Sequence, residues 1–572
     1  MDGPTTKRSR SGCITCKIRR VKCDEAKPAC QRCTSTGRVC DGYASSTTSH
    51  QSRRALADAV RQLQVVGPAS RVLGDALPVD DVACFDFFRL CTASMTGSVL
   101  PGEFWSRQLL QASHAEPAVW RAAVAIGALH RRWEQTNVRT TRAAAGQIPQ
   151  IPIAGDISRF TEQGVRHYQR AISLAKSISN PASLAVISVA LAAAAHLAGR
   201  WAEVHVHMRA GLHLLRRMEA GDLVNGAGAI TSPSDLRALA HTLERFDLQS
   251  MTFADVRAPY DYNNADVPVA DLAPLLAGDG LGRNAAALHE DMDHAALAIF
   301  RMFRRYWILG TGIGVGLMTW SEFETARNEM IDECVNLGAV LGDLERIIHA
   351  PRDGLNDKDS KERRQRRQEQ HQKLLSLRLY HLLTDLTLAT GLGGPELRWD
   401  AYFVSFERMV TVADELVRNT KSPLPFFMSL EPGISVPLYL TATRCRHPCL
   451  RRRALAILRS SNRQEGIWNC VIAAKVAEQI ILVEEEGLGI GLPLYLPEDA
   501  SSVTWSGVST LTGDDTHWPA WQGGWPRVPE EKRVLHLEMR VDVPDNKLEQ
   551  KIFVVGSVDN PGVLVKKVTI EI

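Results

Sequence analysis

Across 572 residues there is no apolar run long enough to cross a membrane. The most apolar stretch, Leu184 to Ala195, is about 12 residues, whereas a span needs about 20. His196, Arg200 and Glu203 follow it at once, so it reads as a buried core helix. The first cysteines are preceded by no apolar leader, which speaks against a secretory, disulfide-forming compartment. The local signatures of common enzymes are also missing. There is no phosphate loop ending in Gly-Lys-Ser/Thr and no Gly-x-Ser-x-Gly elbow. Gly310, Gly312, Gly314 and Gly316 alternate without the third-glycine spacing of a dinucleotide fingerprint. His289 and His294 are five apart rather than four, so one helix face does not present both to a zinc ion. His205 and His207 point to divergent faces of a helix, and Cys445-x-His447-x-Cys449 is interrupted by Pro448 with no local fourth ligand. The expectation is a protein that is not an enzyme.

What the sequence does have is concentrated near its start. Of 12 cysteines, six fall between Cys13 and Cys40 in the order C-x2-C-x6-C-x6-C-x2-C-x6-C, namely Cys13, Cys16, Cys23, Cys30, Cys33 and Cys40. Thiolates three residues apart close on one soft divalent ion, so paired C-x2-C units are metal-ligand spacing. One tetrahedral zinc uses four thiolates and strands two; two zincs need eight ligand positions. Six cysteines satisfy two zincs only if two of them are shared. A disulfide framework is disfavoured, because a chain this large has no need of covalent staples.

This spacing, with basic residues between the cysteines, strongly resembles the fungal binuclear-cluster transcription factors. The resemblance implies two structural Zn2+ ions, one held by Cys13, Cys16, Cys23 and Cys30 and the other by Cys30, Cys33, Cys40 and Cys13, with Cys13 and Cys30 as bridges. It also implies a first cluster helix at the DNA major groove, in which Arg20, three residues before the third cysteine, meets base edges. Between Cys16 and Cys23, Ile18 and Val21 are spaced to face the cluster while Arg19, Arg20 and Lys22 point outward. The Arg fork suits guanine O6 and N7, hence a G-rich half-site; Lys17, Arg19 and Lys22 are assigned to phosphates. A turn is expected over Asp24 to Ala29, with Pro28 suited to it and a cis peptide left open.

Charge agrees with a polyanion partner. The formal net charge of +3 divides into +6 over Met1 to Tyr43 and −3 over the remainder. Six thiolates and two zinc ions bring the module to about +4, consistent with double-stranded DNA. Lys7-Arg8-Ser9-Arg10, with Lys17 to Lys22 close behind, reads as a nuclear-import signal, placing the protein in the nucleus.

Ala44 to Ser52 turns to Ser and Thr, a linker composition. Leu56, Val60 and Leu63 have heptad spacing, but Gly67-Pro68 ends it short of the three or four heptads a coiled coil sustains. Monomer and homodimer both remain open. From Val79 the pattern is helical, with helices expected over 118–133, 157–179, 182–198, 201–219 and 234–252. Phe87-Phe88, Phe104-Trp105, the Pro117-to-His130 helix and the Trp201-to-Leu215 stretch resemble the regulatory domain that follows the cluster in many fungal transcription factors. Cys445 to Ala454 and Gln464 to Trp468 resemble its later part.

Residues 351–372 carry Lys361, Arg363, Arg364, Arg366 and Arg367 and read as an insertion between two helical halves, an exposed linker or solvated helix start, with a second nucleic-acid contact or import signal as the alternative. Arg533 to Val543, Lys551 to Val558 and Val563 to Ile572 read as strands of a small antiparallel sheet. The expected fold is mainly α: a two-zinc, six-cysteine module over 1–43, a linker over 44–78, a large helical regulatory domain over 79–490 and an irregular, β-rich region over 491–572. The expected function is RNA polymerase II-type transcription regulation with DNA and co-regulators as partners and no membrane. The main rival is a zinc-stabilised protein-interaction module.

Overall fold

The computed structural model describes residues 16, 21, 23–26, 30–36, 78–97, 100, 103–144, 154–223, 233–253, 285–314, 316–350, 357–420, 426–490, 492–494, 526–542, 547–557 and 560–571. The chain divides into two units, Met1–Val66 and Gly67–Ile572. Within the first, the described elements include one short helix, α1 (Gln31–Thr34). The heptad-spaced Leu56, Val60 and Leu63 lie outside the described residues.

The second unit is mainly α. It opens with α2 (Val79–Phe87), which runs through a wide π-helical turn, Phe88–Thr92, into α3 (Ala93–Gly97); a second π turn, Phe104–Gln108, leads into α4 (Leu109–Ala115). Then come α5 (Pro117–Ala144), α6 (Ala154–Ala175), α7 (Pro181–Leu197), α8 (Trp201–Glu219) and α9 (Pro233–Phe253). These match the five helices expected from periodicity, with α5 extending eleven residues past the expected end. The boundaries have local causes. Asn180 Oδ1 accepts from the Ala182 and Ser183 amides at 2.9 and 3.2 Å, and Pro181 takes the first helical position, where its missing N–H costs nothing. Gly199, at φ 73°, supplies the left-handed residue that ends α7. The Leu184-to-Ala195 run lies within α7, whose side chains from Ala185 to Leu197 are all buried.

Small residues let these helices approach closely. A Cβ placed on Gly127 would lie 2.0 Å from the carbonyl oxygen of Cys84, so α5 touches the backbone of α2 there. Gly127→Ala is expected to force the two helices apart and to cost about 1–3 kcal/mol, the usual range for overpacking. Urea unfolding of the full chain checks this, and an unchanged midpoint would contradict the contact.

The second half continues with α10 (Ala285–Gly314), α11 (Trp320–His349), α12 (Asp357–Thr390), a 3-10 turn over Glu396–Tyr402, and α13 (Phe403–Asn419). Thr319 and Glu322 form a reciprocal capping box at the start of α11. Because α12 is continuous, the charged residues from Asp357 onward begin this helix. Strand β1 (Phe427–Ser429), α14 (Ser435–Arg444), α15 (Pro448–Ser461), β2 (Arg463–Glu465), β3 (Trp468–Asn469) and α16 (Cys470–Glu485) follow. The three short strands form one sheet in the order β1-β2-β3, parallel and then antiparallel.

Two large apolar cores result, one built mostly from residues 84–246 and the other mostly from 288–481. Between them, α9 presents a polar row. Arg245 pairs with Glu431, which also accepts from Trp105 Nε1 at 2.9 Å; Glu244 pairs with Arg301 and Asp247 with Arg304. Gln249 donates to the Leu430 carbonyl and accepts from the Ile467 amide at 3.1 Å. Buried groups of this kind are tolerated only when paired, and here they fix how α9 seats against α10 and the small sheet.

The chain ends in an antiparallel sheet, β4 (Val534–Asp542), β5 (Lys547–Ser557) and β6 (Asn560–Glu571), in sequential order. Alternate residues face α16: Val534, Ile552 and Val554 pack on Ile480, and Leu548 and Ile570 on Val476. Polar clamps hold its entry. The Arg533 guanidinium binds Asp400 at 2.8 and 2.6 Å, and the Glu530 carboxylate accepts from the Glu396 and Leu397 amides. The β-rich tail is thus the cover of α16.

Candidate metal centre and nucleic-acid interface

Four of the six clustered cysteines are among the described residues, and all four are buried. The Cys16 sulfur lies 3.7 Å from that of Cys30 and 3.7 Å from that of Cys33. The sulfurs of Cys16, Cys23 and Cys30 all fall within 4.8 Å of one another. None of the four is in a disulfide, whose sulfurs would be about 2.05 Å apart. Two thiolates bound at about 2.3 Å to one tetrahedral zinc are about 3.8 Å apart. The donor set is soft, closely spaced and without a carboxylate, which fits zinc.

Local structure explains how the thiols converge. After Cys23 the chain turns sharply at Glu25, whose φ of 60° is left-handed, and its amide donates to the Cys23 sulfur at 3.4 Å. An N–H aimed at sulfur favours the thiolate, the form that ligates. The Asp24 carboxylate then accepts from the Gln31 and Arg32 amides at 2.9 and 3.1 Å. These bonds cap α1 from outside its own sequence and hold the Asp24 carboxyl below its usual range, the Arg32 amide contributing most. Cys30 is the N-cap residue of α1 and Cys33 lies within it, so capping the helix also orients two thiols. Val21 packs against the cysteines, as its spacing suggested.

The sequence did not flag Asp24 as a capping group, because its partners are seven and eight residues away and belong to no local capping motif. Cys13, Cys40, Pro28, Ile18 and the basic residues Lys17, Arg19, Arg20 and Lys22 lie outside the described residues. The other histidine and cysteine groupings have structural employment. Cys445 is buried, which pushes its thiol up to about 12, and burial pushes the His447 ring down to about 4. That neutral ring accepts from the Leu450 amide and caps α15. His207 shares the Tyr168 hydroxyl with Glu203, and His289 faces Asp293 and Glu103.

Residues 11–49 match the fungal Zn(2)-Cys(6) binuclear cluster domain, and residues 84–255 match the fungal specific transcription factor domain. The chain thus matches two domains of fungal transcription factors. The first match contains all six clustered cysteines; the second begins inside α2 and ends just past α9. Both are transcription-factor domains rather than enzyme domains. Among curated relatives of the chain, the "Aspercryptin biosynthesis cluster-specific transcription regulator atnN" of Emericella nidulans is 37% identical over 139 residues, covering 22% of each chain. "Transcription regulator lscL" of Purpureocillium lilacinum is 30% identical over 222 residues, 37% of this chain and 51% of the relative. "Transcriptional regulatory protein moc3" of Schizosaccharomyces pombe is 52% identical over 48 residues, 8% of this chain and 9% of the relative. The matched regions thus span at most about half the length of these relatives. No solved structure matches the chain.

Proposed function

We propose that the protein is a nuclear, sequence-specific DNA-binding regulator of RNA polymerase II transcription, built from a cluster module over 1–43, a linker over 44–78, a regulatory domain over 79–490 and an irregular, β-rich region over 491–572. The observation that carries this reading is the burial of Cys16, Cys23, Cys30 and Cys33 together, the Cys16 sulfur lying 3.7 Å from those of Cys30 and Cys33, inside a segment that matches a zinc-cluster domain. Cys13, Cys16, Cys23 and Cys30 would hold one zinc, and Cys30, Cys33, Cys40 and Cys13 the second. Bound zinc supplies structural cross-linking with every coordination position taken by thiolate, and so no open position for catalysis.

The chain's own residues do the recognition. Arg20 reads guanine edges in the major groove of a G-rich half-site, and Lys17, Arg19 and Lys22 hold phosphates. Arg20→Ala is expected to relax base preference by about 1–3 kcal/mol at one position. Lys22→Ala should weaken all duplexes alike and lower the salt slope by about one unit. Binding of both variants to a panel of single-base-substituted duplexes measures the difference, and indistinguishable profiles would undo the division of roles. The regulatory domain meets co-regulators or the transcription machinery.

A further inference from the structure

Helices α11 and α12 run side by side in opposite directions, and polar contacts mark successive rungs between them. His381 donates to the Cys334 carbonyl at 2.8 Å, and Arg378 pairs with Glu345. The last rung is a pair of histidines. His349 closes α11, and its Nε2 lies 3.1 Å from Nδ1 of His371 on α12. The other edge of the His371 ring meets α13, where Nε2 is 3.2 Å from a carboxylate oxygen of Glu415. One imidazole is thus held between two neighbouring helices.

A carboxylate accepts and does not donate, so the proton of a neutral His371 sits on Nε2 and its Nδ1 lone pair faces His349. Metal-binding histidines are built in this way: one nitrogen ligates, while the other gives its proton to a carboxylate that fixes the tautomer and makes the ligating nitrogen more basic. Two nitrogens at about 2.0–2.1 Å from one tetrahedral zinc are about 3.3 Å apart. The 3.1 Å between the two rings therefore needs little widening. His349 is exposed, so its ring can turn toward an ion without moving either helix. For this its own proton takes Nδ1, leaving Nε2 free to ligate.

We propose that His349 and His371 bind a divalent transition-metal ion, with Glu415 positioning His371 from outside and water filling the remaining coordination sites. Two imidazoles with no ligating oxygen suit Zn2+ rather than Mg2+ or Ca2+. The bound ion ties the end of α11 to α12. All three residues belong to the helical unit, so the inference goes beyond the DNA-binding reading and does not rest on it. Two neutral ligands hold zinc far more weakly than four thiolates, so this ion exchanges with solution while the cysteine cluster keeps its own.

The test is equilibrium titration of micromolar zinc into the full chain whose cysteine cluster is already filled, followed by calorimetry. The wild type should take up one zinc that both His349→Ala and His371→Ala lack. His349 is exposed at a helix end, so its replacement should leave circular dichroism unchanged. The added zinc should raise the thermal midpoint of the helical unit in the wild type and not in these variants, because an ion bound by the folded state stabilises it. Glu415→Gln should keep the site but weaken it about tenfold, the low end for an outer carboxylate, and excess Mg2+ should not compete. No uptake beyond the cluster would overturn the proposal and leave the pair as a hydrogen bond. Uptake retained by both histidine variants would overturn it by placing the ion elsewhere.

Discussion

Replacing Cys30 by alanine is expected to abolish zinc retention and DNA binding by the full-length chain together. Cys30 is fully buried, its sulfur is 3.7 Å from that of Cys16, and it is the N-cap residue of α1. As a shared ligand in the proposed assignment it belongs to both ions, so one substitution leaves each with three thiolates. Modules of this size cannot bury enough apolar surface to fold by themselves. Structural zinc typically contributes about 10–16 kcal/mol that is also folding energy, so loss of the metal means loss of the surface that meets DNA. Cys13→Ala should behave in the same way. Native mass spectrometry for zinc content and a mobility-shift assay read the two effects. The thermal transition of the helical unit should survive, since residues 67–572 form a separate unit. Retention of two zincs by either variant would sink the bridging assignment. Cys449→Ala, at a thiol outside the clustered six, is the control and should keep both.

Replacing Glu484 by glutamine is expected to cost the helical unit about 3–5 kcal/mol, the usual effect of breaking a buried ion pair. Glu484 is completely buried and accepts from Arg446 at 2.9 Å, Arg451 at 2.8 Å and the Val534 amide at 2.9 Å. It therefore ties α16 to α15, to the loop before it and to the first strand of the terminal sheet. Arg446 also reaches Glu396, and Arg451 the Ala442 carbonyl, so the variant leaves guanidinium charge incompletely matched rather than bare. Burial alone would raise the Glu484 carboxyl, but the charges of Arg446 and Arg451 outweigh it and hold it down to about 2. In the unfolded chain it titrates near 4.5, so its contribution is complete above that pH and fades as pH falls toward 2. Urea unfolding of the wild type across this window should show that loss, and Glu484→Gln should lack this part of it. Parallel curves would contradict the role given to the carboxylate.

Legibility in the sequence followed the range of the interactions. The helices α5 to α9 were readable because three- and four-residue apolar spacing and residues such as Asn180, Pro181 and Gly199 act locally. The three terminal strands were readable from β-branched runs, but not what they cover, because Arg533 meets Asp400 across 133 residues and Val534 meets Glu484 across 50. The small sheet β1-β2-β3 gave no signal: its strands are two or three residues long, and Arg463-Gln464-Glu465 has no apolar alternation. The charged stretch from Asp357 lacked apolar periodicity and so read as an exposed linker or a solvated helix start, and it is the latter. It is helical because Lys, Glu, Arg and Gln favour helix without needing a buried face. In the cluster, the cysteine spacing was explicit, whereas the Asp24 cap and the Glu25 turn depend on how the chain returns to Cys30.

The most direct test is selection of duplexes from a random pool by the full-length, zinc-loaded chain, repeated after chelation. A DNA-reading zinc cluster should enrich a short, G-rich half-site, singly or as a spaced pair, and lose all enrichment when zinc is removed. Absence of any enriched sequence with two zincs bound, or enrichment that survives chelation, would contradict it.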